Sequence, residues 1–181
     1  MTKHIGRPEN EAGREVREIR TYDLLDRLGI SYARVDHDPA KTMEDCVAVD
    51  AVLGTVMCKN LFLCNRQQTD FYLLMMPGDK PFRTKELSAQ IGAARLSFAS
   101  AEHMVQYLDI YPGAVSVMGL ANDTEGVVQL LIDEDLLAAE RIGCHPCVNT
   151  ASLGIGTADL LEIFLPAVKH TPRTVRLTGL E

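Results

Sequence analysis

A lysine and an asparagine interrupt an otherwise apolar run, Val56-Met57-Cys58-Lys59-Asn60-Leu61-Phe62-Leu63. If the run is a strand, period-two alternation puts Lys59 on one face with Met57, Leu61 and Leu63, and Asn60 on the other with Cys58 and Phe62. An ammonium on an apolar face is costly unless it meets an anion or reaches solvent along its own stem. Lys59 is therefore either a snorkelling or ion-paired lysine, or a cation held at a cleft for a phosphate or a developing oxyanion.

A second segment, Gly143-Cys144-His145-Pro146-Cys147-Val148-Asn149-Thr150, has three meanings. Cys144 and Cys147 have the spacing of a redox pair, although such a pair normally opens a helix and here precedes an extended run. With His145 they offer three metal ligands, but no second Cys/His cluster supplies a fourth. They are also consistent with two small buried thiols beside a hydrogen-bonded histidine.

The third segment runs from Pro112-Gly113 to Asn122-Asp123. Its glycines either turn the chain or let backbone approach a ligand. Ser116 lacks the glycine elbow of a serine nucleophile. Gly154-Ile155-Gly156 is an incomplete phosphate loop, because Asp159 stands where the third glycine of a dinucleotide fingerprint belongs. Lys80, Arg83 and Lys85 form the best basic patch for an RNA backbone. Lys3, Arg7, Arg14, Arg17 and Arg20 form the second.

The elements that must position these residues follow from local pattern. Apolar residues from Val16 to Leu28 have helical spacing, and Gly29 stops the helix. Ile30 to Val35 reads as a strand. Thr42 and Asp45 form a capping box for a second helix. Strands are expected at Val56 to Cys64 and Phe71 to Met76, joined by a polar turn. Helices follow from Thr84 to Gly92 and from Ser100 to Leu108. Further strands are expected at Ala114 to Leu120, Val127 to Ile132, Val148 to Ile155 and Thr174 to Leu177. A short acidic helix fits Glu134 to Glu140, and another runs from Thr157 to Leu165. Interspersed helices and strand hairpins make one α+β domain with a mixed sheet.

The 181 residues are 46% apolar and 24% charged, which is ordinary globular composition. No apolar run reaches membrane-spanning length, and the polar N-terminus has neither signal nor anchor character, so the expected location is cytoplasmic. Five cysteines without a secretion signal are expected to be reduced. The net charge of −7 opposes long-range attraction to nucleic acid, so an RNA-binding role needs a local basic patch.

From about Tyr22 to Leu177 the chain resembles the YbaK-like, or ProX-type, prolyl-tRNA editing domains. The resemblance lies in Thr21-Tyr22-Asp23-Leu24-Leu25 through Gly29-Ile30, in Lys59-Asn60-Leu61-Phe62-Leu63 and in Arg95-Leu96-Ser97-Phe98-Ala99. It continues through Gly113 to Asp123 and ends in His145-Pro146 with Asn149-Thr150-Ala151. It implies residues 21–181 as an editing domain behind an N-terminal extension, residues 1–20. The implied sheet is mixed and partly barrel-like, with helices around it.

The implied activity is a free-standing hydrolase that removes a wrong amino acid, alanine first and cysteine second, from proline tRNA. Lys59 and the Gly113 loop would serve catalysis, and His145, Asn149, Asn60 and Ser116 would contact substrate. No metal or organic cofactor is implied. The partners would be aminoacylated tRNA and, as a further candidate, prolyl-tRNA synthetase, with no membrane or DNA. Val117 stands where the family's loop usually carries proline. The rival functions are a non-catalytic tRNA- or synthetase-binding module of the same fold, and a thiol redox protein using Cys144 and Cys147.

Overall fold

The most apolar run of the sequence becomes the centre of the molecule. In the computed structural model, which describes residues 1–180, β4 (Phe71–Pro77) lies between β3 (Cys58–Cys64) and β6 (Val128–Asp133). Leu73, Leu74, Met75 and Met76 are all fully buried. Their alternation sends Leu73 and Met75 into one core cluster with Phe62, Leu130 and Ile132. Leu74 and Met76 enter a second cluster with Leu63, Leu87 and Leu131. A strand covered on both faces needs no polar alternation, which is why β4 reads as continuous hydrophobe.

Two sheets result. The five-stranded sheet has the order β5-β3-β4-β6-β9, with β5 at Ser97–Phe98 and β9 at Arg173–Val175. It is mixed: β3 pairs antiparallel with β4 and β5, whereas β4–β6 and β6–β9 are parallel. The four-stranded sheet is antiparallel, in the order β1-β2-β8-β7. Its strands are β1 (Lys3–Ile5), β2 (Tyr32–Asp36), β7 (Arg141–Cys144) and β8 (Ala151–Gly156). The two sheets touch at a parallel bridge between Val56 and Ile142. They do not close into a barrel, so the mixed sheet expected from the sequence is a divided one.

Helix α1 (Val16–Arg27) buries Tyr22 and Leu25 in the larger cluster. Helix α2 (Met43–Leu53) starts with the expected reciprocal capping box between Thr42 and Asp45 and stops at Gly54, which has a φ of 69°. Its Val49 and Leu53 pack on Ala33 and Val35 of β2. Helix α3 (Thr84–Ile91) follows Arg83 rather than Thr84 as its N-cap. Helix α4 (Ala101–Leu108) is capped by the Ser100 hydroxyl, as expected. The short α5 (Glu134–Leu137) leads into β7. The last helix begins as α6 (Thr157–Asp159), passes through a π-helical turn at Leu160–Phe164 and finishes as α7 (Leu165–Ala167).

The clearest departure is Ala114 to Leu120, which is not a strand. Ser116 caps a 3-10 helix over Val117–Asn122, accepting a hydrogen bond from the Met118 N–H. A short buried apolar run has no periodicity that separates strand from helix, and the cap decides it. Val117 occupies the first helical position, where an N–H needs no intrahelical partner and proline is normally tolerated.

Candidate active site

The seam between the sheets holds a cavity of about 310 Å³. Three of its walls come from α2, from the start of β3 and from the β7–β8 hairpin, and the loop after β2 adds His37. Lys59 and Asn60 from β3 and His145 from the end of β7 line it together. These three sequence candidates, 86 positions apart at the extremes, converge because β7 is laid against β8 and bridged through Ile142 to Val56, two residues before β3.

Lys59 is half-buried, and its Nζ donates to the Lys80 carbonyl at 2.5 Å. Burial pushes its ammonium below the usual lysine range, and the Asp79 carboxylate opposes that shift. Asn60 carries the less expected feature. Its Oδ1 is the one buried side-chain oxygen or nitrogen without a hydrogen-bond partner among the described residues. A buried acceptor left unpaired is costly unless something else satisfies it.

His145 donates from Nδ1 to the Ala151 carbonyl at 2.8 Å, which leaves Nε2 unprotonated in the neutral ring. Burial is the main reason that its pKa lies below the usual histidine value, and His37 adds to the effect. The two rings stand 6.2 Å apart between centroids.

Three cavity residues were not legible in the sequence. Asp50 of α2 accepts a hydrogen bond from Thr55 Oγ1 at 2.5 Å, and burial raises its pKa. His37 donates from Nδ1 to the Asp38 carbonyl at 2.7 Å, so its Nε2 accepts from Ser152 Oγ at 2.8 Å. Each is a lone polar residue whose neighbours in space are remote in sequence, so no motif marks it.

The other sequence candidates lie around this cavity rather than on its wall. Gly113 takes a φ of 94°, and a Cβ there would sit 3.4 Å from Asn149 Nδ2, so the glycine loop and Asn149 pack on one another. Ser116 is fully buried, and its hydroxyl donates to the His145 carbonyl at 2.6 Å. It thus ties the 3-10 helix to the histidine segment.

The basic candidates divide. Lys80 is held by Asp133 and Asp135, both at 2.7 Å, and by the Leu177 carbonyl. Arg83 and Lys85 instead line an open groove that Lys59 also borders. In the second patch, Arg7, Arg14, Arg17 and Arg20 are all ion-paired to carboxylates.

The thiols do not have the electrostatics of a redox pair. Burial pushes Cys147 up to about 11 and Cys144 higher, where a reactive pair needs a depressed value. Cys58, also on the cavity wall, is pushed up to about 12. All five cysteines are free.

Comparison with known proteins follows this geometry. A family model described as the aminoacyl-tRNA editing domain matches residues 37–163. The prolyl-tRNA editing protein ProX of Acetoanaerobium sticklandii is 34% identical over 139 residues, covering 77% of this chain and 85% of its own. Prolyl-tRNA synthetase associated domain-containing protein 1 of Danio rerio is 34% identical over 152 residues, covering 83% of this chain and 82% of its own. A crystal structure described as a candidate trans-editing enzyme for prolyl tRNA synthetase has the same fold, with a TM-score of 0.66 at 16% identity; the match covers 90% of this chain and 98% of that one. The segment matched by the family model contains every residue of the cavity wall, from His37 to Ser152, and the chain belongs to the aminoacyl-tRNA editing domain family.

Proposed function

We propose that this aminoacyl-tRNA hydrolase clears alanine, and secondarily cysteine, from mischarged proline tRNA. The observation that carries the reading is the unpartnered Asn60 Oδ1 in a small cavity that also holds a carboxylate and a cation. An aminoacyl ester presents complementary groups: an α-ammonium, a carbonyl and the sugar-phosphate end that bears it. The α-ammonium satisfies Asn60 Oδ1 and faces the Asp50 carboxylate. Lys59 faces the oxygen that gains charge as the ester is attacked, or the neighbouring phosphate, supplying orientation and electrostatic stabilisation.

Water supplies the new carbon–oxygen bond. The bond between the carbonyl carbon and the ribose oxygen breaks, and the proton released by water ends on the ribose hydroxyl. The ester is already activated, so a covalent nucleophile is not required, and the raised pKa values of the cavity thiols Cys46, Cys58 and Cys144 keep them protonated. The Gly113 loop and Asn149 support the His145 side of the site from outside the cavity wall.

A cavity near 310 Å³ is at the small end of ligand sites and suits an aminoacyl group with part of its ribose. Its apolar wall of Val49, Met57 and Cys58 takes a short side chain. The need for such a site is physical, since a synthetase pocket discriminates one methylene by only about 1–3 kcal/mol. One observation favours a second chemical route: the Ser152–His37 pair has the hydrogen bond of an activated nucleophile.

The test is a deacylation time course with Ala-, Cys- and Pro-charged proline tRNA, for wild type and Lys59→Ala. Release of alanine ahead of cysteine, with the proline ester spared, is expected. Lys59→Ala should slow release by about 10²–10³-fold, the usual effect of deleting one charge-stabilising donor. Survival of all three esters at enzyme in excess over tRNA would overturn the reading.

A further inference from the structure

The cavity has a neighbour. On the other face of β3, the β5 edge and α3 border an open groove of about 1070 Å³. Lys59 lines both spaces, so the cavity and the groove meet at this one side chain of β3. We propose that this groove receives the unpaired 3′ nucleotides of the charged tRNA, with Phe98 as the platform on which a base stacks. This assignment rests on the editing reading and specifies where that substrate's end lies.

Three features select a nucleic-acid end over other occupants. The first is aromatic. Phe98 is 62% exposed on a strand of only two residues, and its ring stands edge-on to Phe82 at 6.1 Å between centroids. Phe82 buttresses the ring at its edge, and most of the Phe98 side chain stays open to solvent. An exposed aromatic face at a channel wall binds bases of any sequence by stacking.

The second is charge. Arg83 and Lys85 are exposed at the same groove, and neither pairs with a carboxylate among the described residues. Among the described residues the groove's carboxylate is Glu86, which is occupied by the Thr178 N–H and hydroxyl and the Gly179 N–H. In a chain of net charge −7, two exposed cations without carboxylate partners beside a hydrogen-bonded Glu86 give the groove a local character suited to a polyanion.

The third is continuity. The ester must enter the seam while its nucleotides remain outside, and Lys59 marks the junction. The Arg95-to-Ala99 run thereby gains a role: it carries Phe98 to the edge of β3, where Phe98 pairs with Leu63.

The experiment measures the dissociation constant for uncharged proline tRNA, intact or trimmed of its unpaired 3′ nucleotides, with wild type, Phe98→Ala, Phe98→Trp and Arg83→Ala/Lys85→Ala. Phe98 is exposed, so its replacement leaves the core intact. Trimming and Phe98→Ala should each weaken wild-type binding by about tenfold, the loss of one stacked base. Phe98→Ala should erase the difference between intact and trimmed tRNA, and Phe98→Trp should restore it. The double variant should weaken binding to intact tRNA further at low salt. If Phe98→Ala binds intact tRNA as wild type does, or weakens intact and trimmed tRNA equally, the groove assignment is wrong. Hydrolysis is scored separately: the full binding pattern without ester cleavage would retain the groove and overturn the editing reading, and cleavage without the pattern would do the reverse.

Discussion

Ser152 and His37 show how a hydrogen bond in a cavity differs from a catalytic dyad. The tautomer is right, since the Asp38 carbonyl holds the Nδ1 proton and frees Nε2 to accept from the serine. The surroundings are wrong. Ser152 lies inside β8, paired with Val35 of β2 on one side and followed by Leu153, which pairs with Cys144 of β7 on the other. Backbone N–H groups in a strand with two neighbours are committed to the ladder, so they cannot converge on an oxyanion beside the hydroxyl. Ser152→Ala should therefore lower the single-turnover rate of alanyl ester cleavage by less than about tenfold, whereas loss of a true nucleophile costs about 10⁴-fold or more. A collapse of that larger size, or a trapped acyl-serine, would move the mechanism to the covalent route. Cys58 and Cys144 make the same argument in reverse, for burial raises the pKa of these wall thiols and leaves them as packing.

At the scale of elements, the site depends on how closely α2 approaches the β7–β8 hairpin. A Cβ on Gly143 would lie 2.5 Å from Asp50 Oδ1 and 3.0 Å from Thr55 Oγ1, so a glycine is needed for α2 to bring its carboxylate to the cavity. Gly143→Ala should displace the α2 C-terminus, costing about 1–3 kcal/mol in urea unfolding, as overpacking usually does. It should also slow hydrolysis at least tenfold. Lower stability with unchanged hydrolysis would mean that Asp50 has no part in holding substrate.

This approach was not legible in the sequence, whereas the elements themselves largely were. Helix α2 announced itself by its capping box, and β3 and β4 by apolar runs too dense for a surface. Strand β1 was missed because all three of its residues are exposed at a sheet edge, where no hydrophobic pattern is required. Strand β7 was missed because Arg141-Ile142-Gly143-Cys144 is short and contains the glycine that α2 demands. Lys59, Asn60 and His145 were legible because each breaks an apolar or cysteine-bearing motif. Asp50, His37 and Ser152 acquire meaning only when β2, β8 and β7 are laid side by side.

For the whole molecule, the question is how a protein of net charge −7 binds a polyanion at all. Several of its basic residues are spent internally: Arg14 bridges the buried Glu18 and the half-exposed Asp36, and Lys80 fastens Asp133 to Asp135. Three cations without a carboxylate partner among the described residues, Lys59, Arg83 and Lys85, meet at the junction of cavity and groove. Binding through three cations to a single-stranded end releases few counterions, which gives a slope of about −2 for log affinity against log salt. The net charge of −7 adds long-range repulsion from the paired stem, so contact should stay confined to the end of the tRNA. Titration of uncharged proline tRNA between low and physiological salt measures the slope directly. A value near −2 that moves toward zero in Arg83→Ala/Lys85→Ala would fit a protein that grips only the acceptor end. A slope of about −5 or steeper, unaffected by those substitutions, would require a second and larger phosphate-binding face, and the groove would then be an accessory to it.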